Sequence, residues 1–332
     1  MKTFLPVATG VIFNLFCGFI LFATLFGAVP LFAQIHAVSV EKLPLGTEQQ
    51  WSQPVFSPDG ARIYFTSAGF NGIWEYTQST KSVRQITDAP RSGFGFALSN
   101  DGKTISYRRT FDEASRSRTQ ELVTQNLSSG TVNVLEKGES VSLPKFSTAS
   151  PSGGQSVIYL KEGKVVSAAS SKAKDSHVES AGAAVVLGIE DTKIALLKNG
   201  SKVSFDPLGN GSYIWPSLSP DGTKLLAYEM DRGVFISDLE GNVLKMLGRK
   251  DNPIWTRDGK WIVYMDDKDD GHNILGSDIY GVSADGAATV RLTNTSGVIE
   301  LYPSCSPVEN KIVCSSLSGD VYVITYSEEG AR

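Results

Sequence analysis

The chain has 332 residues, 41% of them apolar and 20% charged, with a formal net charge of -4. That balance fits one large or two ordinary globular domains. Lysine and arginine nearly balance the acidic residues and no basic run stands out, so the concentrated positive face that nucleic acid requires is missing.

The chain opens "MKTFLPVATGVIFNLFCGFILFATLFGAVPLFAQ", one lysine followed by a long uncharged apolar run. Residues 1–33 read as a signal peptide, with Ala33 as the small residue at the cleavage point. The run is also long enough to span a bilayer, so an uncleaved N-terminal membrane anchor facing outside the cytoplasm is the alternative. Either way the protein is expected to be exported, periplasmic or secreted. Phe16 before Cys17 is too bulky for a lipidated-cysteine signal.

Residues 34–50 are a lead-in containing the alternating stretch "HAVSVEKLP". From Trp51 a phrase recurs: "PVFSPDGARIYF", "FALSNDGKTISY", "PSLSPDGTKLLAY", "PIWTRDGKWIVY" and "PSCSPVENKIVC", with a looser copy, "PKFSTASPSGGQSVIYL". Each copy is an extended stretch entered through an apolar residue or proline, a tight Asp-Gly-type turn, then a β-branched and aromatic strand. A second hairpin follows most copies, as in "GVFISDLEGNVLKML". Each unit is thus a four-stranded antiparallel sheet of about 40 residues, the signature of a β-propeller.

The marker residues Ser57, Ser99, Ser147, Ser219, Thr256 and Ser306 are separated by 42, 48, 72, 37 and 50 positions. Inside the long gap, "LGIEDTKIALL" aligns with "LSPDGTKLLAY". The count is therefore seven units with a degenerate fourth, or six if residues 141–212 form one oversized blade. The last unit supplies three strands, and the 34–50 segment is expected to add the fourth and close the ring. The propeller spans 51–328, with 329–332 a tail, and Ser170 to Ala184 reads as a surface connection.

The phrases "FSPDGARIYF", "IWEYTQSTKSVRQIT" and "PIWTRDGKWIVY", with the closing "DDGHNILGSDIYGVSADGAATVRLTNTSGVIELYPSCSP", resemble the repeats of the TolB-type, WD40-like propellers. The resemblance covers nearly all of residues 45–326 and implies the propeller fold; it does not specify an activity. TolB itself also carries an N-terminal α/β domain. The short interval between leader and first repeat is expected to leave no room for one.

In a propeller, the connections between blades and the loops from second to third strands share one rim. On that rim the sequence places "MDDKDDGHNILGSD", with Asp266, Asp267, Asp269, Asp270 and His272, and "RRTFDEASRSRTQ", with Asp112, Glu113, Arg116 and Arg118. Residues leading into the inner strands add Trp51, Phe94, Trp215, Glu300 and Tyr302. An aromatic, carboxylate-lined mouth suits a peptide, a sugar or a cation. Aligning Gly271 with the EF-hand glycine puts Lys268 and Ser277 where carboxylates are needed, so that template fails. A different oxygen-ligand calcium site built from Asp266, Asp269, Asp270 and His272 remains an expectation.

No nucleophile elbow, zinc-binding helix motif or phosphate loop is present. Oligogalacturonate lyases have related propellers, and their metal chemistry needs converging histidines; here the histidines are His36, His177 and His272. The expected function is a non-catalytic module binding an envelope protein or extended peptide, with no required cofactor. The alternative is a carbohydrate-active lyase or glycosidase with paired carboxylates at the mouth. Cys305 and Cys314 occupy equivalent repeat positions on one face, as a disulfide or as a pair of buried thiols.

Overall fold

The computed structural model describes residues 34–46, 48–112, 118–147, 155–169, 172–176 and 184–329. The leader, Glu113, Arg116, His177 and residues 330–332 of the tail lie outside the described residues.

The chain forms seven antiparallel sheets. Blade one is β2 (Trp51–Phe56), β3 (Arg62–Ser67), β4 (Ile73–Thr77) and β5 (Ser82–Thr87), and blade two is β6 (Ala97–Leu98), β7 (Thr104–Asp112), β8 (Arg118–Asn126) and β9 (Val132–Gly138). Blade three is β10 (Lys145–Ser147), β11 (Ser156–Lys161), β12 (Lys164–Ala169) and β13 (Lys172–Ser176). Blade four has three strands among the described residues, β14 (Val185–Glu190), β15 (Lys193–Lys198) and β16 (Ser201–Phe205). Blade five is β17 (Tyr213–Leu218), β18 (Lys224–Glu229), β19 (Gly233–Asp238) and β20 (Val243–Gly248); blade six is β21 (Asp251–Trp255), β22 (Trp261–Asp269), β23 (Ile274–Ser283) and β24 (Thr289–Arg291). Blade seven combines β25 (Glu300–Cys305), β26 (Lys311–Ser316) and β27 (Val321–Glu329) with β1 (Gln34–Lys42) from the other end of the chain.

Seven blades with a reduced fourth is the seven-unit reading, and the six-blade alternative falls. One expectation needs correction. The 170–184 segment is not all connection, because Lys172–Ser176 is the outer strand of blade three.

The Ser-Pro-Asp-Gly turns recur because their side chains substitute for backbone partners. In blade five the Ser219 hydroxyl donates to Asp221 Oδ1 at 2.6 Å and accepts from the Lys224 N–H at 2.9 Å, while Asp221 accepts from the Thr223 N–H at 3.0 Å. Ser57, Ser99 and Thr256 make the same turn with Asp59, Asp101 and Asp258.

The second strands are apolar on both faces because each face meets a different neighbour. Ile63 and Phe65 of β3 pack with Val313 and Val323 of blade seven, whereas Tyr64 between them packs with Ile105 and Tyr107 of blade two. One such core lies at every blade-to-blade interface around the ring. Strand β1 closes it. Ile35 is fully buried among Trp261, Ile279, Ile312 and Ile324 of blades six and seven, and Leu43 and Leu45 pack against the blade one–seven core.

Cys305 sits opposite Ile312, and Cys314 opposite Tyr322, so the cysteines are diagonal neighbours across β25 and β26. Diagonal Cβ atoms stand about 7 Å apart, against about 3.8 Å in a disulfide. Both thiols are free, and burial pushes both upward in pKa. Of the two arrangements open from the sequence, the structure has the pair of free thiols.

Candidate functional site

Four inner strands break in the same way where they reach the mouth. Gln53, Trp215, Asn252 and Tyr302 have φ of 49°, 51°, 49° and 55°, and each precedes a proline: Pro54, Pro216, Pro253 and Pro303. Proline donates no ladder hydrogen bond and keeps the preceding residue out of the right-handed helical region. The strand answers with a bulge at each site, where the register shifts between Ser52/Val55, Ile214/Ser217, Asp251/Ile254 and Leu301/Ser304. Gln53, Asn252 and Tyr302 thereby line a central cavity of about 200 Å³ together with Gly93, Gly95 and Phe96. Trp215 is exposed and stands edge-to-face with Tyr228, ring centroids 5.6 Å apart.

Two of the expected mouth residues are inside the protein. Trp51 is only 6% exposed and packs edge-to-face with Phe65 and Trp74, both at 5.0 Å. Glu300 is fully buried, neither carboxyl oxygen has a hydrogen-bond partner, and burial raises its pKa.

The two charged "loops" are largely strand. β7 and β8 pair out to Asp112↔Arg118, and β22 and β23 pair out to Asp269↔Ile274. Only residues 270–273 form the blade-six turn, in which Asp270 Oδ1 accepts from the His272 and Asn273 N–H groups at 2.9 and 2.7 Å. Asp269 accepts from the Gly271 N–H at 2.8 Å and stands 3.6 Å from Arg249.

Strand alternation explains why the acids do not converge. Asp266 lies on the face of Tyr264, and Asp267 on the opposite face with Met265. Among the described residues, no group of three or more His, Cys, Asp and Glu side chains is placed to hold a metal. The expected calcium set Asp266, Asp269, Asp270 and His272 is not gathered into such a group, and Asp269 and Asp270 cap the turn.

Asp267 instead reaches a residue that sequence reading missed. Asp251, at the start of β21, is hydrogen-bonded to Asp267; burial and this neighbouring carboxyl raise Asp251 to about 6, against an opposing pull from Arg249 at 3.4 Å. Asp267 Oδ1 and the Ser277 hydroxyl, paired across β22 and β23, are buried without partners.

Between blades one and two the same face holds a second cavity, of about 260 Å³, lined by Phe70, Arg91, Phe94, Arg108 and Arg118 among others. Of these only Arg118 and Phe94 were legible as mouth residues. On the opposite face a cleft of about 670 Å³ runs between blades five and six, lined by Lys224, Leu244, Lys245 and Lys260.

No protein-family model and no curated protein matches the sequence. Solved structures do match in fold. TolB from Acinetobacter baumannii superposes with a TM-score of 0.51 at 18% identity, over 77% of this chain and 57% of TolB. The chain is similar in fold to TolB-type propellers. The Cps50 (Swd1) β-propeller domain of Myceliophteria thermophila gives a TM-score of 0.59 at 9% identity, covering 88% of this chain and 99% of that domain. An oligogalacturonate lyase from Vibrio parahaemolyticus gives 0.47 at 11% identity over 88% of this chain and 96% of the lyase, a likeness too loose to bear on activity. At these identities the TolB-like propeller is established as architecture alone, and this chain spans little more than half of TolB's length.

Proposed function

We propose that the protein is an exported TolB-like propeller acting as a non-catalytic protein- or peptide-binding module of the cell envelope. It engages its partner through the mouth-bearing face. The observation that carries this reading is where large apolar side chains are exposed. Phe94, Met230, Leu275 and Leu317 stand on that face's connections and hairpin tips, and Trp215 and Phe111 flank them, with Leu275 64% exposed. Among the described residues, the turns of the opposite face carry one exposed large apolar residue, Val308, and the strand ends that flank those turns add the aliphatic Val132, Ile189, Val243 and Leu244 but no aromatic residue. Exposed apolar side chains are common at protein surfaces, but the exposed aromatics among the described residues, Phe94, Phe111 and Trp215, all stand on the mouth-bearing face, and aromatic anchors dominate protein-binding interfaces.

Export rests on the 1–33 leader, and an uncleaved leader would tether the same propeller to the membrane. The carbohydrate-active alternative expects two carboxylates set apart over an open pocket. Capture of partners from an envelope extract tests the proposal. The protein is expected to retain a partner that a Trp215→Ala/Met230→Ser/Leu275→Ser variant loses at unchanged melting temperature. Cleavage of acidic or neutral polysaccharide, read by mass spectrometry of the products, would overturn the non-catalytic reading.

A further inference from the structure

Five blades place the same backbone feature at the mouth. Gln53, Gly95, Trp215, Asn252 and Tyr302 each stand four positions before the serine or threonine that opens the turn on the opposite face, and all five are left-handed, with φ between 49° and 68°. Four of them carry side chains. The fifth, Gly95 of the lead-in to blade two, cannot, because a Cβ there would come within 2.5 Å of the Leu143 side chain at the entry to blade three. The ring of mouth side chains therefore has a gap at blade two. The central cavity of about 200 Å³ lies against that gap, lined by Gly93 and Gly95 and by Gln53, Tyr302 and Asn252 of the next three blades round the ring, one, seven and six.

The polar side of this cavity is built and unsatisfied. Gln53, Asn252 and Tyr302 are half-buried, and among the described residues none of the three side chains has a hydrogen-bond partner. Left-handed backbone is strained for residues other than glycine and clusters at ligand clamps. Here three such residues converge on one cavity, each held by the proline that follows it, and Pro54 and Pro303 are themselves part of the wall. The glycine side is equally fixed. The Gly93 N–H donates to the Phe70 carbonyl at 2.9 Å, and a Cβ on Gly93 would overlap the Thr66 side chain.

The lining selects among ligand groups. Among the described residues no charged side chain lines the cavity, so a carboxylate or an ammonium would be desolvated without a counter-charge. An apolar group would leave two carboxamides and a phenol unpaired. Each of those three can both donate and accept, and a ligand carboxamide, with two N–H donors and two acceptor lone pairs in one plane, has enough sites to pair with all of them, whereas a hydroxyl has one donor. The volume is below the ~300–1,000 Å³ of ordinary small-molecule sites and suits one inserted side chain. Phe94, between Gly93 and Gly95, is 44% exposed and offers an apolar contact to the residue next to the inserted one.

We propose that the central cavity seats a side-chain carboxamide, of glutamine or asparagine, from the extended peptide that the propeller binds, paired by Gln53, Asn252 and Tyr302 and with an apolar neighbour against Phe94. The inference rests on the peptide-binding reading above.

NMR titration of the protein at pH 7 tests it, read on the side-chain NH2 resonances of Gln53 and Asn252, with acetyl-Phe-Gln-Phe-N-methylamide, its Glu and Met counterparts and cellobiose as probes. The Gln peptide is expected to shift both resonances saturably, and the Glu and Met peptides to bind at least about tenfold more weakly. A Gln53→Met/Tyr302→Phe variant keeps the shape of the wall and is expected to lose about tenfold in affinity at an unchanged melting temperature. Tyr302→Phe alone, which removes one unpartnered hydroxyl, serves if the double variant melts lower. No saturable shift with the Gln peptide, equal binding of the Glu or Met peptide, an unaffected variant, or cellobiose binding more tightly than the peptide would each overturn the proposal. Envelope capture with the same variant separates the two readings. A partner retained by protein and variant alike leaves the binding-module reading standing and removes this cavity from it. An empty capture by the unmodified protein counts against the module reading, while the titration still judges the cavity.

Discussion

Changing Asp251 to Asn should stabilise the protein at alkaline pH and leave it nearly unchanged at pH 4. In the folded state Asp251 holds its proton up to about 6, because it is buried and hydrogen-bonded to Asp267, against an ordinary value of 3.8. A carboxyl with a raised folded pKa binds protons more tightly than in the unfolded chain. Stability is therefore full below pH 3.8 and falls as pH rises through about 6. The difference corresponds to at most about 3 kcal/mol at pH 8. Asp251 is 16% exposed and Arg249 partly compensates its charge, so about 1–2 kcal/mol is expected. Asn keeps a donor toward Asp267 and removes the second charge. Melting curves from pH 4 to 8 should show a decline in the parent that the variant lacks, with the variant roughly 2–6 °C higher at pH 8. Parallel curves, or a variant less stable than the parent at pH 8, would refute the shared-proton account.

Ile35→Ala should cost about 2–5 kcal/mol, because a fully buried β1 side chain that joins blades six and seven is truncated, and denaturant unfolding reads it. Asp59, Asp101, Asp221 and Asp285 are each held below the usual carboxylate range first by a serine hydroxyl, Asp221 at about 2. Their contribution is present above about pH 4 and lost as pH falls toward 2, so the melting temperature should drop across that window; Ser219→Ala should lessen the drop and cost about 1 kcal/mol at pH 7. Cys305 and Cys314 should react with a thiol reagent only on unfolding, and non-reducing and reducing intact masses should agree.

The blades were legible because their signal is local. Each repeat concentrates its turn chemistry and its doubly buried strand into about a dozen residues, and "HAVSVEKLP" shows the alternation that lets β1 finish blade seven. Even the reduced fourth blade could be aligned from Leu187. Elements that bury little were not legible. Lys172–Ser176 pairs at the outside of blade three with no apolar pattern, and the 266–269 and 108–112 arms extend beyond the core as polar strand. The inward or outward fate of a mouth residue follows its place relative to the bulge, which only the strand register reveals. Trp51 and Glu300, two positions earlier, are both buried, while Gln53 and Tyr302 at the bulge border the central cavity. Asp251 and Asp267 meet across the β21–β22 pairing, and the arginine-lined cavity joins neighbouring blades one and two, so both depend on register and blade packing rather than on a local sequence signal.

Site-specific photocrosslinking in an envelope preparation tests the central claim, that partners dock on the mouth-bearing face, most directly. A photoreactive residue at Phe94 or Leu275 samples that face, and one at Leu244 or Val308 samples exposed positions away from it. Adducts of defined mass from Phe94 and Leu275, with none from Leu244 and Val308, are the predicted result. Adducts formed only from Leu244 or Val308 would contradict the account.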